Sequence, residues 1–364
     1  MSAARVGLVE ARRLVLKIGS RSLMHGPNGR FDDVAEQIAR AQADGRSVVL
    51  VSSGAVALGR RRLGMSERPR DIARLQAAAA AGQSLLMRAY EDAFEARGIH
   101  VAQVLLSHAD LEDRDRYLNA RAAIAALLEL GVVPIINEND TVAVDEIRFG
   151  DNDQLAAMVS TLVGAELLVL LTDVEGLLDA EGKRVPLVGD AGAVADLVRP
   201  SIGDEGLGGM ASKLEAAGRA SRGGVPVVVG DARMPGLLAA ILAGEDVGTL
   251  VLPAGTPMAS RKHWIAFTLK PRGDLLVDAG AMQALREGKR SLLPAGLMGV
   301  RGEFEAGEAV RIVGPQGEEI ARGLARYGTL DVARLCGART AQIPARIGRY
   351  GGDEIVHRDD LVVI

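Results

Sequence analysis

The stretch Val132-Val133-Pro134-Ile135-Ile136-Asn137-Glu138-Asn139-Asp140 changes character at its midpoint. Its first half is a continuous apolar run of the kind that forms a strand buried on both faces of a sheet. Its second half places four polar residues at the carboxyl end of that strand. Such a cluster is costly as decoration, and it offers carbonyl and carboxylate acceptors for an ammonium together with amide donors for a carboxylate. An Asn/Asp turn is the plainer alternative.

Runs of the same kind recur at Arg13 to Ile18, Val48 to Val51, Val101 to Leu106, Leu167 to Leu171 and Val225 to Val229. Between them lie segments of helical periodicity, among them Ile72 to Ala96, Asn119 to Leu130 and Asp153 to Leu162. Alternation of this sort predicts a mainly parallel sheet covered by helices on both sides, an α/β/α sandwich. Ligands of open parallel sheets sit beyond the carboxyl ends of the strands, so the chemistry is sought there. The alternation stops near residue 250. Pro253, Pro257 and Pro271 then mark a linker, and short glycine-punctuated strands follow at Leu275 to Asp278, Gly296 to Val300, Val310 to Val313 and Glu318 to Ala325. The expected organisation is an α/β domain over 1–254, a linker over 255–271 and a small β-rich domain over 272–364, in keeping with the two-domain prior for a chain of 364 residues.

Composition narrows the function. Hydrophobic residues make up 48% of the chain and charged residues 25%, with a net charge of −4, so bulk electrostatics favour neither nucleic acid nor membrane. The N-terminus lacks a signal-peptide pattern and no apolar run nears the roughly 20 residues of a membrane span. A single cysteine, Cys336, rules out an internal disulfide framework, and the expected location is cytoplasmic. The five histidines show no metal-ligand spacing.

Five further constellations stand at strand ends or helix starts. Lys17-Ile18-Gly19-Ser20 puts a lysine in an apolar run just before a glycine turn, where its ammonium could reach phosphate oxygens; a snorkelling edge lysine is the alternative. Ser52-Ser53-Gly54-Ala55 leads a strand into a helix, an arrangement that binds anions but that also occurs wherever serine caps a helix. Gly150-Asp151-Asn152-Asp153 precedes an apolar helix; Asp153 caps it, or one of the two carboxylates, Asp151 or Asp153, orients lysines or magnesium while Asn152 holds substrate. Leu171-Thr172-Asp173 closes a strand, and Gly206-Leu207-Gly208-Gly209-Met210-Ala211-Ser212-Lys213 opens a helix as a phosphate cradle or as a plain flexible loop.

Taken in order, these pieces resemble the amino acid kinase family, and within it the branch that phosphorylates the side-chain carboxylate of L-glutamate in the first step of proline synthesis. The resemblance spans nearly the whole chain. It is most specific from Tyr117-Leu118-Asn119-Ala120-Arg121 through Asn137-Glu138-Asn139-Asp140 to Gly150-Asp151-Asn152-Asp153, and at Gly208-Gly209-Met210 with Lys213. It implies the amino acid kinase fold, ATP and Mg2+ as cofactors, L-proline as feedback inhibitor and a homo-oligomer, dimer or tetramer. It also implies that Lys17 and Lys213 bind the ATP phosphates and that Asp153 organises both lysines. Thr172, Asp173 and Leu207, Gly208, Gly209, Met210, Ala211 and Ser212 would hold the nucleotide, and Ser53, Gly54, Asn137, Asp140 and Asn152 the glutamate. Leu292-Leu293-Pro294-Ala295-Gly296 and the segment Gly302 to Val313 are similar to the PUA domain, a small β-barrel-like fold found in RNA-modifying enzymes. Arg21 and Leu207 depart from the family pattern, which has a small hydroxyl residue and a threonine there.

Two other functions remain in view. Another amino acid kinase would take aspartate, N-acetylglutamate, carbamate or a nucleoside monophosphate. An RNA-binding protein would act through the C-terminal domain, yet residues 272–364 hold 13 Lys+Arg against 13 Asp+Glu, where a phosphate-binding surface is usually basic.

Overall fold

The computed structural model describes every residue except 1–2, 27–28, 70, 143–151, 190–206, 255–261, 263 and 288–289, with backbone alone at 3, 207–209, 267 and 268. The chain divides into two compact units, Met1–Pro257 and Met258–Ile364.

The first unit is an eight-stranded sheet. Its strands are β1 (Arg13–Ile18), β2 (Ser47–Ser52), β3 (Val101–Leu106), β4 (Val133–Glu138), β5 (Leu167–Thr172), β6 (Leu187–Val188), β7 (Val227–Asp231) and β8 (Thr249–Val251), in the spatial order β3-β4-β2-β1-β5-β7-β8-β6. The first six run parallel; β8 turns antiparallel to β7, and β6 pairs parallel with β8. The apolar runs form these strands because β-branched and leucine side chains fill both faces: β4 and β5 are buried at every residue. The run at 101–106 behaves differently. It is the sheet's edge strand, and its residues are mostly half-buried rather than enclosed. Run composition alone does not separate an edge strand from a central one.

The helices of this unit are α1 (Val6–Glu10), α2 (Ser20–Leu23), α3 (Phe31–Ala43), α4 (Ala55–Arg62), α5 (Ile72–Glu95), α6 (His108–Glu112), α7 (Arg114–Glu129), α8 (Asn152–Leu162), α9 (Leu207–Arg222) and α10 (Leu237–Leu242). Alternate side chains of a strand point to opposite faces. Leu14, Leu16 and Ile18 of β1 therefore join a core with Ile38 of α3, Leu86, Tyr90 and Phe94 of α5 and Ile241 of α10. Lys17 faces the other way, toward α8 and α9, which pack on each other. Burying each large apolar side chain contributes about 1.5–3 kcal/mol, and this double-sided core fixes the strand ends.

The chain leaves β1 toward β2 and β3, then jumps from β4 to β5 on the opposite side of β1. This reversal opens a crevice beyond the carboxyl end of β1, the expected place for a ligand in such sheets. One helix pair is set unusually close beside it. A Cβ at Gly59 of α4 would stand 1.7 Å from the Ala78 carbonyl oxygen, and one at Gly82 of α5 would stand 1.8 Å from that of Ala55. Only glycine at both positions permits this backbone contact.

The second unit is a five-stranded sheet of β9 (Gly273–Val277), β10 (Leu297–Gly302), β11 (Ala309–Val313), β12 (Glu319–Leu324) and β13 (Leu361–Val363), in the order β10-β9-β11-β12-β13. All pairings are antiparallel except β9 with β11. Leu275, Val310, Ile312, Ile320 and Tyr327 form its core. Part of the proline-marked segment packs onto this unit: Trp264–Thr268 is a π-helical turn in which Trp264 and Ile265 are buried, and the Ala266 carbonyl accepts from Arg322 at 2.7 Å. A cavity of about 320 Å³ lies among Arg272, Asp274, Arg301, Arg311 and Arg322. Arg311 is held bidentately by Asp274 at 2.7 and 3.0 Å, and Arg322 pairs with Glu319 at 2.5 Å. Arg272 also pairs with Glu308 at 4.0 Å, so three of its four cations already have an acidic partner, which accords with the zero net charge of the region.

Candidate active site

Three charged residues from three elements meet beyond β1. Lys17 Nζ lies 2.6 Å from one carboxylate oxygen of Asp153, and Lys213 Nζ lies 2.8 Å from the other. Asp153 is 4% exposed, Lys17 3% and Lys213 8%. Buried charges survive only when paired, and here one anion holds two cations, leaving a net positive charge. Burial pushes the Asp153 carboxyl up, but the two ammoniums outweigh it and hold the group below the usual carboxylate range. The edge-lysine alternative for Lys17 fails because β1 is central and its lysine is enclosed. The capping alternative for Asp153 fails too, since it is the second residue of α8 and faces the lysines. At Gly19 a Cβ would lie 3.5 Å from Lys17 Nζ, so glycine leaves the space beside the ammonium open.

A neutral cluster adjoins the charged one through Asn152. Its Nδ2 donates to Ser53 Oγ at 2.8 Å and to Asn137 Oδ1 at 3.1 Å. Asn137 Oδ1 also accepts from the Glu138 backbone N–H at 2.9 Å, and its Nδ2 donates to Gln83 Oε1 at 2.8 Å. The turn reading of Asn137 yields to the structure, in which Asn137 and Glu138 complete β4 and are buried. Ser53 does not cap α4. Gly54 occupies that position at φ +126°, with the Met24 methyl 3.0 Å from where its Cβ would be, so glycine is required. Asp140 lies just past β4, half-buried, and burial raises its carboxyl to about 6 while Arg68 pulls in the opposite direction.

The nucleotide candidates lie at the ends of β5 and α9. Thr172 Oγ1 donates to Asp173 Oδ1 at 3.3 Å, Arg21 pairs with Asp173 Oδ2 at 3.4 Å, and Arg233 Nη2 donates to the Asp173 carbonyl at 2.7 Å. Burial pushes Asp173 up, yet hydrogen bonds from its own backbone amide, Arg21 and Thr172 hold it below the usual range. Leu207, Gly208 and Gly209 open α9, followed by half-buried Met210, exposed Ala211 and half-buried Ser212. Gly150, Asp151 and Gly206 lie outside the described residues. Sequence reasoning missed Gln83, Arg233 and the partner of Arg21. Gln83 had one available signal: it follows Ala77-Ala78-Ala79-Ala80-Ala81-Gly82, a small-residue run that marks close helix contact. Among the described residues no group of three or more His, Cys, Asp or Glu could hold a metal, and no helix is long and apolar enough to cross a membrane.

This arrangement, a parallel sheet with two lysines and one aspartate at the switch point, carries a net positive charge suited to an anionic group such as a phosphoryl. The sequence model of the amino acid kinase family matches residues 12–231, and that of the PUA domain matches residues 273–347. The chain belongs to the amino acid kinase family and carries a PUA domain behind its kinase unit. Curated relatives similar to it along their whole length are glutamate 5-kinases. That of Geobacter sulfurreducens is 48% identical, covering 98% of this chain and 99% of its own. That of Thioalkalivibrio sulfidiphilus is 47% identical over the whole of both chains, and that of Myxococcus xanthus is 48% identical over 100% and 99%.

Proposed function

We propose that this chain transfers the γ-phosphoryl group of ATP to the side-chain carboxylate of L-glutamate, giving L-glutamyl 5-phosphate, the first committed intermediate of proline synthesis. The observation that carries this reading is the pair of buried lysines held by Asp153 directly beside the neutral cluster of Ser53, Asn137 and Asn152. Full-length similarity to glutamate 5-kinases supports glutamate over the other acceptors of the family.

The reaction brings two anions together, so positioning and positive charge must supply the catalysis. A glutamate γ-carboxylate oxygen attacks the γ-phosphorus, the new O–P bond forms, and the bridging O–P bond to the β-phosphate breaks with its electrons leaving on ADP. Lys17 and Lys213 stand where charge builds on the transferring group, and Asp153 keeps both ammoniums fixed so that little reorganisation accompanies the step. The acceptor carboxylate is ionised at neutral pH, so no general base is required. Thr172, Asp173 and the start of α9, Leu207 to Ser212, receive the nucleotide. ATP enters as its Mg2+ complex. That ion typically keeps its waters and binds phosphate oxygens with few protein ligands, which fits a site whose central carboxylate is occupied by two lysines.

Ser53, Gly54, Asn137, Asn152 and Asp140 receive the amino-acid end of glutamate, with Asp140 facing the free ammonium. An acetylated amine would leave that anion without a partner. L-Proline carries the same α-carboxylate and a charged amine but no second carboxylate, so it competes for the same groups without reacting. Under this reading the working molecule is a cytoplasmic dimer or tetramer. The test incubates the protein with ATP, Mg2+ and hydroxylamine, which traps acyl phosphates. Glutamyl hydroxamate that depends on glutamate is the expected product; hydroxamate from aspartate or N-acetylglutamate but not from glutamate overturns the assignment.

A further inference from the structure

The amide cluster has a polarity that one backbone group dictates. A peptide N–H only donates, so the Asn137 atom 2.9 Å from Glu138 N is its carbonyl oxygen. The opposite end of that amide is then the NH2, which faces Gln83 at 2.8 Å and obliges Gln83 to present its own oxygen. The Asn137 oxygen also faces Asn152 at 3.1 Å, which obliges Asn152 to present its NH2, and this reaches on to Ser53. Side-chain amides are nearly symmetric in shape, and here one fixed donor orients three of them in series.

Two polar atoms are left over, one at each end of the series. Gln83 Nε2 and Asn152 Oδ1 are buried, and neither meets a hydrogen-bond partner among the described residues. Buried donors and acceptors are nearly always satisfied, so a spare N–H and a spare carbonyl flanking a substrate cluster point to groups that a ligand satisfies. The α-carbon of an amino acid carries the complementary pair, a carboxylate that accepts and an ammonium that donates. Gln83 is well placed to be rigid, because the preceding Gly82 is locked by backbone contact against Ala55 at the start of α4.

Building on the glutamate kinase reading, we propose that Gln83 is a specificity-determining residue: its spare Nε2–H receives the α-carboxylate of the substrate. Its carbonyl meanwhile holds Asn137, and through Asn137 keeps the Asn152 oxygen turned to the ammonium. A site with a buried donor discriminates against any analogue that leaves the donor unpaired. The test compares L-glutamate with its α-carboxamide, L-isoglutamine, which keeps the reacting γ-carboxylate and replaces the α-carboxylate. Wild type should prefer glutamate by at least about a hundredfold in kcat/KM. Gln83→Glu keeps the acceptor for Asn137 but exchanges the donor for an anion, so the preference should fall at least tenfold while the KM for ATP stays within about threefold. Gln83→Met, which removes both polar ends at similar volume, should lower the preference as well.

A wild type that uses isoglutamine as readily as glutamate overturns the role of Gln83 before any variant is made. A preference unchanged within twofold in either folded variant overturns it equally. If wild type phosphorylates neither compound, it is the glutamate kinase reading that fails.

Discussion

Asn152 and Asp153 are neighbours at the start of α8, and they serve regions of opposite character. Asp153 anchors a dry cluster of full charges with Lys17 and Lys213, while Asn152 anchors a string of neutral amides and hydroxyls with Ser53, Asn137 and Gln83. The charged half suits a group that accumulates negative charge as it transfers. The neutral half suits recognition, where donors and acceptors must match an amino acid without gripping it too tightly. On the proposed reading, one helical turn sets the spacing between the reacting end of the acceptor and its recognised end, and a shift of α8 would disturb both together.

The sharpest way to separate the two halves is Asp153→Asn. Two ammoniums would then share a buried site without an anion, and breaking such a pair costs about 3–5 kcal/mol. The turnover number should fall by at least a hundredfold, and the thermal midpoint should fall with it. A mutant with near-normal turnover in the hydroxamate assay would show that the charged half is structural only.

A smaller effect should come from Asp140, whose carboxyl ionises only as pH passes about 6. Its anion faces the substrate ammonium in our reading, so kcat/KM for glutamate should decline below pH 6, approaching tenfold per unit, while glutamate itself keeps its charges down to about pH 5. Asp140→Asn should abolish this acid limb and weaken glutamate and proline together. Stability runs the other way. A carboxyl whose folded pKa is raised costs stability at pH above about 6 and ceases to cost it below about 4, so Asp140→Asn should raise the thermal midpoint at pH 7 and leave it unchanged at pH 3.5. An acid limb that persists in the mutant removes Asp140 from ammonium recognition.

The smallest effect is expected from deleting the second unit. Every residue assigned here to the two halves precedes residue 254, and a unit with its own core can fold alone. A chain ending at Ala254 should stay soluble and keep turnover within about threefold. Aggregation or loss of activity, with the full chain active in parallel, would show that the kinase unit depends on the other.

Much of this was readable from residues alone, for reasons that differ between the halves. Lys17 stood out because a charge in an apolar run must find a partner, and Asn137 because polar groups at a buried strand end need a purpose. Neither clue named the partner. Lys17, Asp153 and Lys213 are far apart in the chain and meet only through the crossover that takes β4 to β5 past β1. Gln83 is harder to read: the run from Ala77 to Gly82 signals a close helix contact, but it does not tell whether the amide that follows points inward or to solvent. The edge position of β3 escaped for a similar reason: half-burial depends on which strand pairs with it, not on its own residues. Arg21 was visible only as a departure, and its exposed pairing with Asp173 is of a kind worth at most about 1 kcal/mol.

The mutual contact of Gly59 and Gly82 carries a lesson about how this chain can change. Glycine is required at each position because the other helix brings its backbone to that spot, so neither position can drift by itself. A chimaera that borrows α5 from a relative with a side chain at the crossing must borrow α4 as well. The two helices form one heritable block, and the amide that follows Gly82 travels with it.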